Sequence, residues 1–310
     1  MLIITGSLAY DYIMDFPGLF SDHILPDKIH KINLSFIVQN FAKRRGGIAG
    51  NVSYSMALLQ SPNILFSVAG KDFEEYKKEF TELNINTKHV KIYEKEYTAT
   101  GLAITDKSDN QIWAYSYGAT DRSDELKLKT VAKKDDLVLI TPQGAKGCMS
   151  LIRQCIELDL PYMFDPGFIL TQMTDPELRM GIIHARYLIG NDYEMSLMQK
   201  RIENFMQIIK EKTIITTLGD KGSVIQDKDK KYTIKIAKPD KVVDPTGAGD
   251  AWRAGFLAGL ERNFDLETAG RMGSVTASYA VEKYGTQEHK FTIGEFTKRY
   301  KKTYNAIIHL

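Results

Sequence analysis

Short apolar runs, each about the length of a buried strand, recur along this chain and alternate with stretches of helical periodicity. Leu2-Ile-Ile-Thr5, Leu137 to Ile140, Tyr162 to Phe164, Tyr187-Leu-Ile-Gly190 and Thr213-Ile-Ile-Thr-Thr217 read as strands covered on both faces. Asn63 to Ala69 is a further short apolar run, and Val52 to Leu59, Phe73 to Leu83, Cys148 to Leu158, Ala251 to Leu260 and Leu266 to Val281 read as helices. That alternation predicts parallel βαβ units, and so an α/β fold with a mainly parallel central sheet flanked by helices on both faces. The 310 residues suffice for one large core or two smaller ones. With no internal repeat, low-complexity tract or Pro/Gly/Ser-rich linker to divide it, one domain over residues 1–310 is expected.

Two regions break the pattern. Phe16 to Val38 is irregular, with Pro17, Pro26 and the alternating stretch Lys28 to Phe36, and predicts hairpin strands. Tyr97 to Tyr117 alternates in a compatible way. Asp11 follows the first strand closely. A carboxylate there could accept hydrogen bonds from two neighbouring sugar hydroxyls, or could close an Asx turn or a salt bridge.

The stretch Asp244-Pro-Thr-Gly-Ala-Gly-Asp250 leads directly into a helical run. A helix start leaves N–H groups unpaired and carries partial positive charge, so Gly247, Ala248 and Gly249 could close around a phosphoryl group. Asp250 would then stand where it can take a proton from an attacking hydroxyl, or would simply complement the helix dipole. Gly46-Gly47 precede Asn51, an arrangement open to a ligand or to a plain turn before a helix. Asn191 and Glu194, three apart at a strand end, could order water around Mg²⁺ or form an N-cap with an acidic N3 residue. Thr217-Leu-Gly219-Asp-Lys-Gly222 ends a β-branched run in a glycine turn and reads as a hairpin to Ser223-Val-Ile-Gln226.

Four of these segments, in this order, resemble the ribokinase-like (PfkB) family of carbohydrate and nucleoside kinases: Gly46-Gly47-Ile-Ala-Gly-Asn51, Asn191-Asp-Tyr-Glu194, Thr217-Leu-Gly-Asp-Lys-Gly222 and Asp244-Pro-Thr-Gly-Ala-Gly-Asp250. The resemblance covers nearly the whole chain. It implies the ribokinase-like fold with a small β-sheet lid, here from segments of about 12–45 and 95–120. It implies Asp250 as catalytic base, Gly247 to Gly249 as the anion hole, and Asp11, Gly46, Gly47 and Asn51 on the acceptor sugar. It sets Asn191, Thr217, Gly219 and Gly222 along the nucleotide, Glu194 on Mg²⁺ through water, and Asp244 with the 280–285 segment around a monovalent cation such as K⁺. ATP is the implied co-substrate. Pro245, Trp252, Arg253 and Ile48 depart from the usual pattern. Arg253 could reach a phosphate or a lid residue, or pair with Glu261 or another surface acid.

Gly6 to Pro17 and Asp109 to Ala119 look most like the nucleoside or adenosine kinase branch. Tyr10, Phe16, Trp113, Tyr115 and Tyr117 could stack on a base or serve ordinary packing. The expected reaction is transfer from ATP to the 5′-hydroxyl of a nucleoside such as adenosine, with a ribose- or fructose-type sugar kinase and a non-catalytic ligand binder as alternatives. Forty-one basic against 39 acidic residues argue against a nucleic-acid or membrane surface. Cys148 and Cys155 are too few for a disulfide framework. The N-terminus lacks the basic and apolar regions of a signal peptide, so a cytoplasmic protein is expected, as a monomer or a homodimer joined through the lid. The third glycine of a dinucleotide fingerprint is replaced by Trp252, and no Gly-x-x-x-x-Gly-Lys-Ser/Thr is present.

Overall fold

The computed structural model describes residues 1–24, 30–31, 33–108 and 110–310. Its central sheet has eight strands in the spatial order Lys230–Ile234, Ser223–Asp227, Thr213–Thr217, Tyr187–Asn191, Tyr162–Phe164, Leu137–Ile140, Leu2–Thr5 and Ile64–Leu65. From Thr213–Thr217 to Ile64–Leu65 all neighbours are parallel, and the two strands beyond Thr213–Thr217 are antiparallel additions.

The unbroken apolar runs have a direct physical reason. Successive side chains on a strand point to opposite faces, and both faces here meet a core. Ile3, Val138, Ile140, Phe164 and Leu188 pack with Leu151, Leu178 and Met198 of the helices Ala145–Glu157, Asp175–His184 and Asp192–Arg201. Their strand neighbours Ile4, Leu139, Met163 and Ile189 pack on the other side with Val52, Phe256 and Ala269 of the helices Ile48–Leu58, Ala248–Glu261 and Leu266–Ala280. The last helix, Ile293–Tyr304, sets Phe296 and Tyr300 against Met272 and Val275. Cys148 and Cys155 are free and buried. Among the described residues no helix is long and apolar enough to cross a membrane.

A separate four-stranded sheet has the order Asn40–Gly46, Ala9–Asp15, Ala99–Thr105, Gln111–Ser116. Here two expectations need correction. Strands were expected within Phe16 to Val38, yet the described residues of that stretch hold a 3-10 turn at Phe20–Asp22 and no strand; Leu25 to Ile29 and Ile32 lie outside the described residues. The aromatic residues there are spent on a local cluster in which Phe16, Phe20, His23 and Phe36 pack face and edge. Asp11, expected at the end of the first strand, is instead inside Ala9–Asp15 of the small sheet. The run Asn63 to Ala69 likewise divides, giving Ile64–Leu65 to the central sheet and Ser67–Gly70 to a two-stranded sheet with Val90–Tyr93.

Candidate active site

The carboxyl ends of the parallel strands collect the polar residues, as open α/β sheets do at ligand sites. Asp165 follows Tyr162–Phe164, Asn191 closes Tyr187–Asn191, and Thr217 stands opposite Asn191 in the parallel register. The antiparallel return to Ser223–Asp227 shows that the Thr217 to Gly222 turn is also the hairpin its sequence suggests. At its tip Gly219 has open space around the position of a Cβ.

Asp244 braces the loop before the helix Ala248–Glu261. Its Oδ1 accepts from Thr246 N–H at 2.9 Å and its Oδ2 from Gly285 N–H at 3.0 Å. The loop reaches the helix through Gly247 at φ 78°, a left-handed conformation that glycine adopts without steric penalty. Ala248 N–H bonds back to Pro245 O and Ala251 N–H to Gly247 O. Among the described residues no backbone carbonyl accepts from Gly249 or Asp250, so these N–H groups keep the donor capacity of a helix start.

Asp250 is held by two opposed influences. Burial pushes its carboxyl up to about 6, while Arg253 and the hydrogen bond from Asn51 pull it down and Asp165 adds a smaller upward push. Asn51 Nδ2 donates to Asp250 Oδ2 at 2.8 Å. Arg253, one turn along the same helix, pairs with Asp165 at 2.5 Å, and both are buried. Its Nη1 would lie 2.7 Å from a Cβ at Gly249, which puts the guanidinium against the floor of the loop. Among the described residues Asp165 Oδ1 has no hydrogen-bond partner. Arg253 therefore does not pair with Glu261, which meets Arg262 instead.

Asp11 sits between glycines. A Cβ at Gly46 would be 2.3 Å from its Oδ2 and one at Gly101 2.7 Å from its Oδ1, so the carboxylate fits only because neither residue has a side chain. Burial raises Asp11 to about 6. The same Gly101 position faces Tyr115 and Trp113, whose rings stack at 5.2 Å with 4° between planes. Tyr115 is 71% exposed, so this aromatic surface is open beside a desolvated carboxylate. Tyr10 and Phe16 are core residues, and Tyr117 engages Gln172 through its hydroxyl. The consecutive basic residues Lys43, Arg44 and Arg45 are each paired with an acid, Glu75, Glu288 and Glu79 respectively.

Gly47 caps the helix Ile48–Leu58, which brings Asn51 inward. Asn191 and Glu194 form a reciprocal capping box, each side chain accepting from the other's backbone N–H at 2.8 Å. Burial raises Glu194, and it lies within electrostatic reach of Asp165 and Arg253. Among the described residues no cluster of three or more His, Cys, Asp or Glu could hold a metal directly.

A model for the pfkB family carbohydrate kinases matches residues 8–292, a span that takes in the small sheet, Asn51, the Asp244–Asp250 loop and the turn after Gly285. The chain belongs to this family. Among its pfkB relatives, the nucleoside kinase of Methanocaldococcus jannaschii is 32% identical over 304 residues, covering 96% of each chain. The nucleoside kinase of Burkholderia thailandensis in complex with inosine superposes with a TM-score of 0.87 at 32% identity, covering 99% of both chains. The same enzyme in complex with ADP-inosine gives 0.85 at 33% identity, over 99% of this chain and 97% of the other.

Three residues that the fold brings to the surroundings of Asp250 and Asn51 were not singled out from the sequence. Asp165 carried the same signal as Asp11, an acid just past a short apolar strand, and applying that argument at every strand end would have found it. Tyr76 and Gln287, described below, carried none, since each stands in an ordinary polar stretch.

Proposed function

We propose that this protein transfers the γ-phosphoryl group of ATP to the 5′-hydroxyl of a nucleoside, with adenosine and inosine as the leading acceptors. The observation that carries the reading is Asp250: a carboxylate in the first helical turn, beside unpaired N–H groups, with one oxygen engaged by Asn51 and the other without a protein donor among the described residues. Asp250 takes the proton of the attacking hydroxyl, and an apparent value near 6 leaves it ionised at neutral pH while keeping it basic. The N–H groups of Gly247 and Gly249 stabilise the transferring group, that of Ala248 being engaged by Pro245 O, with Arg253 adding charge from below. Asp11 accepts from two hydroxyls of the acceptor's ribose, Gly46 and Gly47 shape that site by making room for the Asp11 carboxylate and for the Ser7–Ala9 backbone, and Trp113 with Tyr115 stack on the base. The small sheet closes over the acceptor and excludes water, which would otherwise compete for the phosphoryl group. Asn191, Thr217, Gly219 and Gly222 line the phosphates of ATP.

Mg²⁺ fits as an ion held mainly by phosphate oxygens and water, with Glu194 accepting from its water shell; when bound it neutralises phosphate charge. A monovalent cation at Asp244 would share the carboxylate with the two N–H donors already on it. We place the reaction in the cytoplasm, carried out by a monomer or by a homodimer joined through the small sheet. The bound ligands of the Burkholderia thailandensis enzyme support a nucleoside acceptor, and the aromatic pair beside Asp11 supports it independently. The test is competition: kcat/KM for adenosine, inosine and cytidine against ribose and fructose, with ATP and Mg²⁺. Preference for a nucleoside by at least about 100-fold is expected, roughly what one stacked and hydrogen-bonded base contributes. Preference for a free sugar overturns the acceptor assignment, and tight binding without product identifies a non-catalytic member of the fold.

A further inference from the structure

A buried chain of hydrogen bonds runs from the small sheet to the catalytic base. Tyr76 Oη donates to Gly46 O at 2.9 Å, and Gln287 Nε2 donates to Tyr76 Oη at 2.7 Å and to Asn51 Oδ1 at 2.9 Å. Asn51 Nδ2 then donates to Asp250 Oδ2. Tyr76, Gln287 and Asn51 are 0%, 2% and 5% exposed, so water does not substitute for these partners. Both ends of the chain, a backbone carbonyl and an ionised carboxylate, can only accept. Such a chain needs one member that donates in both directions, and the amide of Gln287 supplies it. Burial raises the Tyr76 phenol, which keeps it protonated as the donor to Gly46.

The direction of every amide follows. Were Asn51 turned over, its oxygen would face the Asp250 carboxylate and its nitrogen the nitrogen of Gln287, two repulsive contacts in a buried site. We propose that Gln287 is a positioning residue for phosphoryl transfer: it fixes the Asn51 N–H on Asp250 Oδ2 and so reserves Oδ1 for the acceptor hydroxyl. The turn that carries it also grips the root of the small sheet. Thr286 Oγ1 donates to Arg45 O at 3.1 Å, and Glu288 pairs with Arg44 at 3.4 Å. The base and the strand Asn40–Gly46 are thereby held by one short segment. This proposal rests on Asp250 acting as the base.

Three variants separate the roles. Gln287→Met removes both donors at similar length. Gln287→Glu replaces the double donor by an acceptor and forces Asn51 to turn its oxygen toward Asp250. Tyr76→Phe removes only the far hydroxyl and leaves the Gln287–Asn51 bond in place. The other charged groups acting on Asp250 are Arg253 on its own helix and Asp165 beyond the neighbouring strand, and neither is altered. Two readouts are taken on each folded variant: the pH dependence of kcat for the nucleoside, and the titration of the Asp250 carboxyl by carbon-13 NMR in the free protein. For both Gln287 variants kcat should fall roughly 10- to 100-fold, the worth of a hydrogen bond to a charged group, and the Asp250 titration should move up by about one pH unit. Tyr76→Phe should give a smaller change in the same direction, and it keeps the test open if both Gln287 variants fail to fold. Unmoved Asp250 titration in these variants overturns the relay whatever the activity. Absence of nucleoside phosphorylation in the parent protein, with the titration moved as expected, counts against the acceptor and not against the relay.

Discussion

Asp250→Asn replaces a desolvated carboxylate by a neutral group of the same shape, and two opposite effects are expected. The Asp250 carboxyl is raised from the ordinary 3.8 to about 6. Each tenfold change in proton affinity is about 1.4 kcal/mol, so keeping Asp250 ionised costs the native state about 3 kcal/mol. The sign follows from proton linkage. Above about pH 6 the group is ionised in folded and unfolded chains alike, and the whole penalty stands. As pH falls from 6 the folded chain takes up the proton first and the penalty shrinks; below 3.8 both chains are protonated and it is gone. Asparagine carries no such penalty and still offers an oxygen to Asn51. Near pH 8 the variant should be more stable than the parent by up to about 3 kcal/mol, the gap closing toward pH 4. Its turnover should be lower by about 10²- to 10⁴-fold, the usual contribution of a general base, with nucleoside and ATP still bound within a few-fold. Urea unfolding at several pH values, steady-state kinetics and calorimetric titration measure the three quantities. Turnover within tenfold of the parent excludes Asp250 as the base, and a stability gap that does not grow with pH refutes the desolvation argument.

Asp11→Asn should lower kcat/KM for the nucleoside by about 10- to 100-fold by weakening charged hydrogen bonds to the ribose hydroxyls. Because Asp11 and Asp250 are both raised to about 6 and both must be ionised, kcat/KM of the parent should fall with a limiting slope near two on the acid side. In Asp11→Asn that slope should drop to one; an unchanged slope would show that Asp11 is not the second group. Arg253→Met leaves Asp165 buried without its partner and should cost about 3–5 kcal/mol in urea unfolding. The double variant Asp165→Leu/Arg253→Met should recover most of that loss while remaining poorly active; equal loss in both would show that the pair is not the origin. Trp113→Ala and Tyr115→Ala should each raise the nucleoside KM by about 5- to 100-fold, from the loss of about 1–3 kcal/mol of stacking, with free ribose unaffected. A parallel effect on both acceptors would place the rings in packing instead.

Most parallel strands of the central sheet were legible because both faces are covered there, which writes them as short apolar runs, whereas the largely exposed Lys230–Ile234 carries no such run. The Asp244–Asp250 loop was legible as a glycine turn at a helix start, but its spacing alone left an anion hole and a plain helix start equally open, and only the resemblance to the pfkB family favoured the first. The small sheet was harder: Ala9–Asp15 mixes aromatic residues with two acids, and Asp11 reads as a strand-end residue until its pairing with Arg44 and Gly101 is known. The alternation at Lys28 to Phe36 resembled a strand, yet Phe36 completes an aromatic cluster with Phe16 and Phe20. Local periodicity cannot separate a sheet face from such a cluster. The least legible features join distant parts of the chain. Asn51 meets Asp250 across a separation of 199 residues and Gln287 across 236. Nothing in a polar glutamine after a glycine turn announces such a contact, and the same holds for Arg253, whose partner Asp165 is supplied by another strand end. Their roles depend on burial, which composition around each residue does not reveal.

The most direct test of phosphoryl transfer to a nucleoside is phosphorus NMR of the parent protein incubated with ATP, Mg²⁺ and adenosine or inosine. The predicted spectrum shows ADP and the nucleoside 5′-monophosphate growing in equal amounts, and neither when the 5′-deoxynucleoside is supplied. ADP appearing with inorganic phosphate alone, or with phosphate at another position of the ribose, would contradict the account.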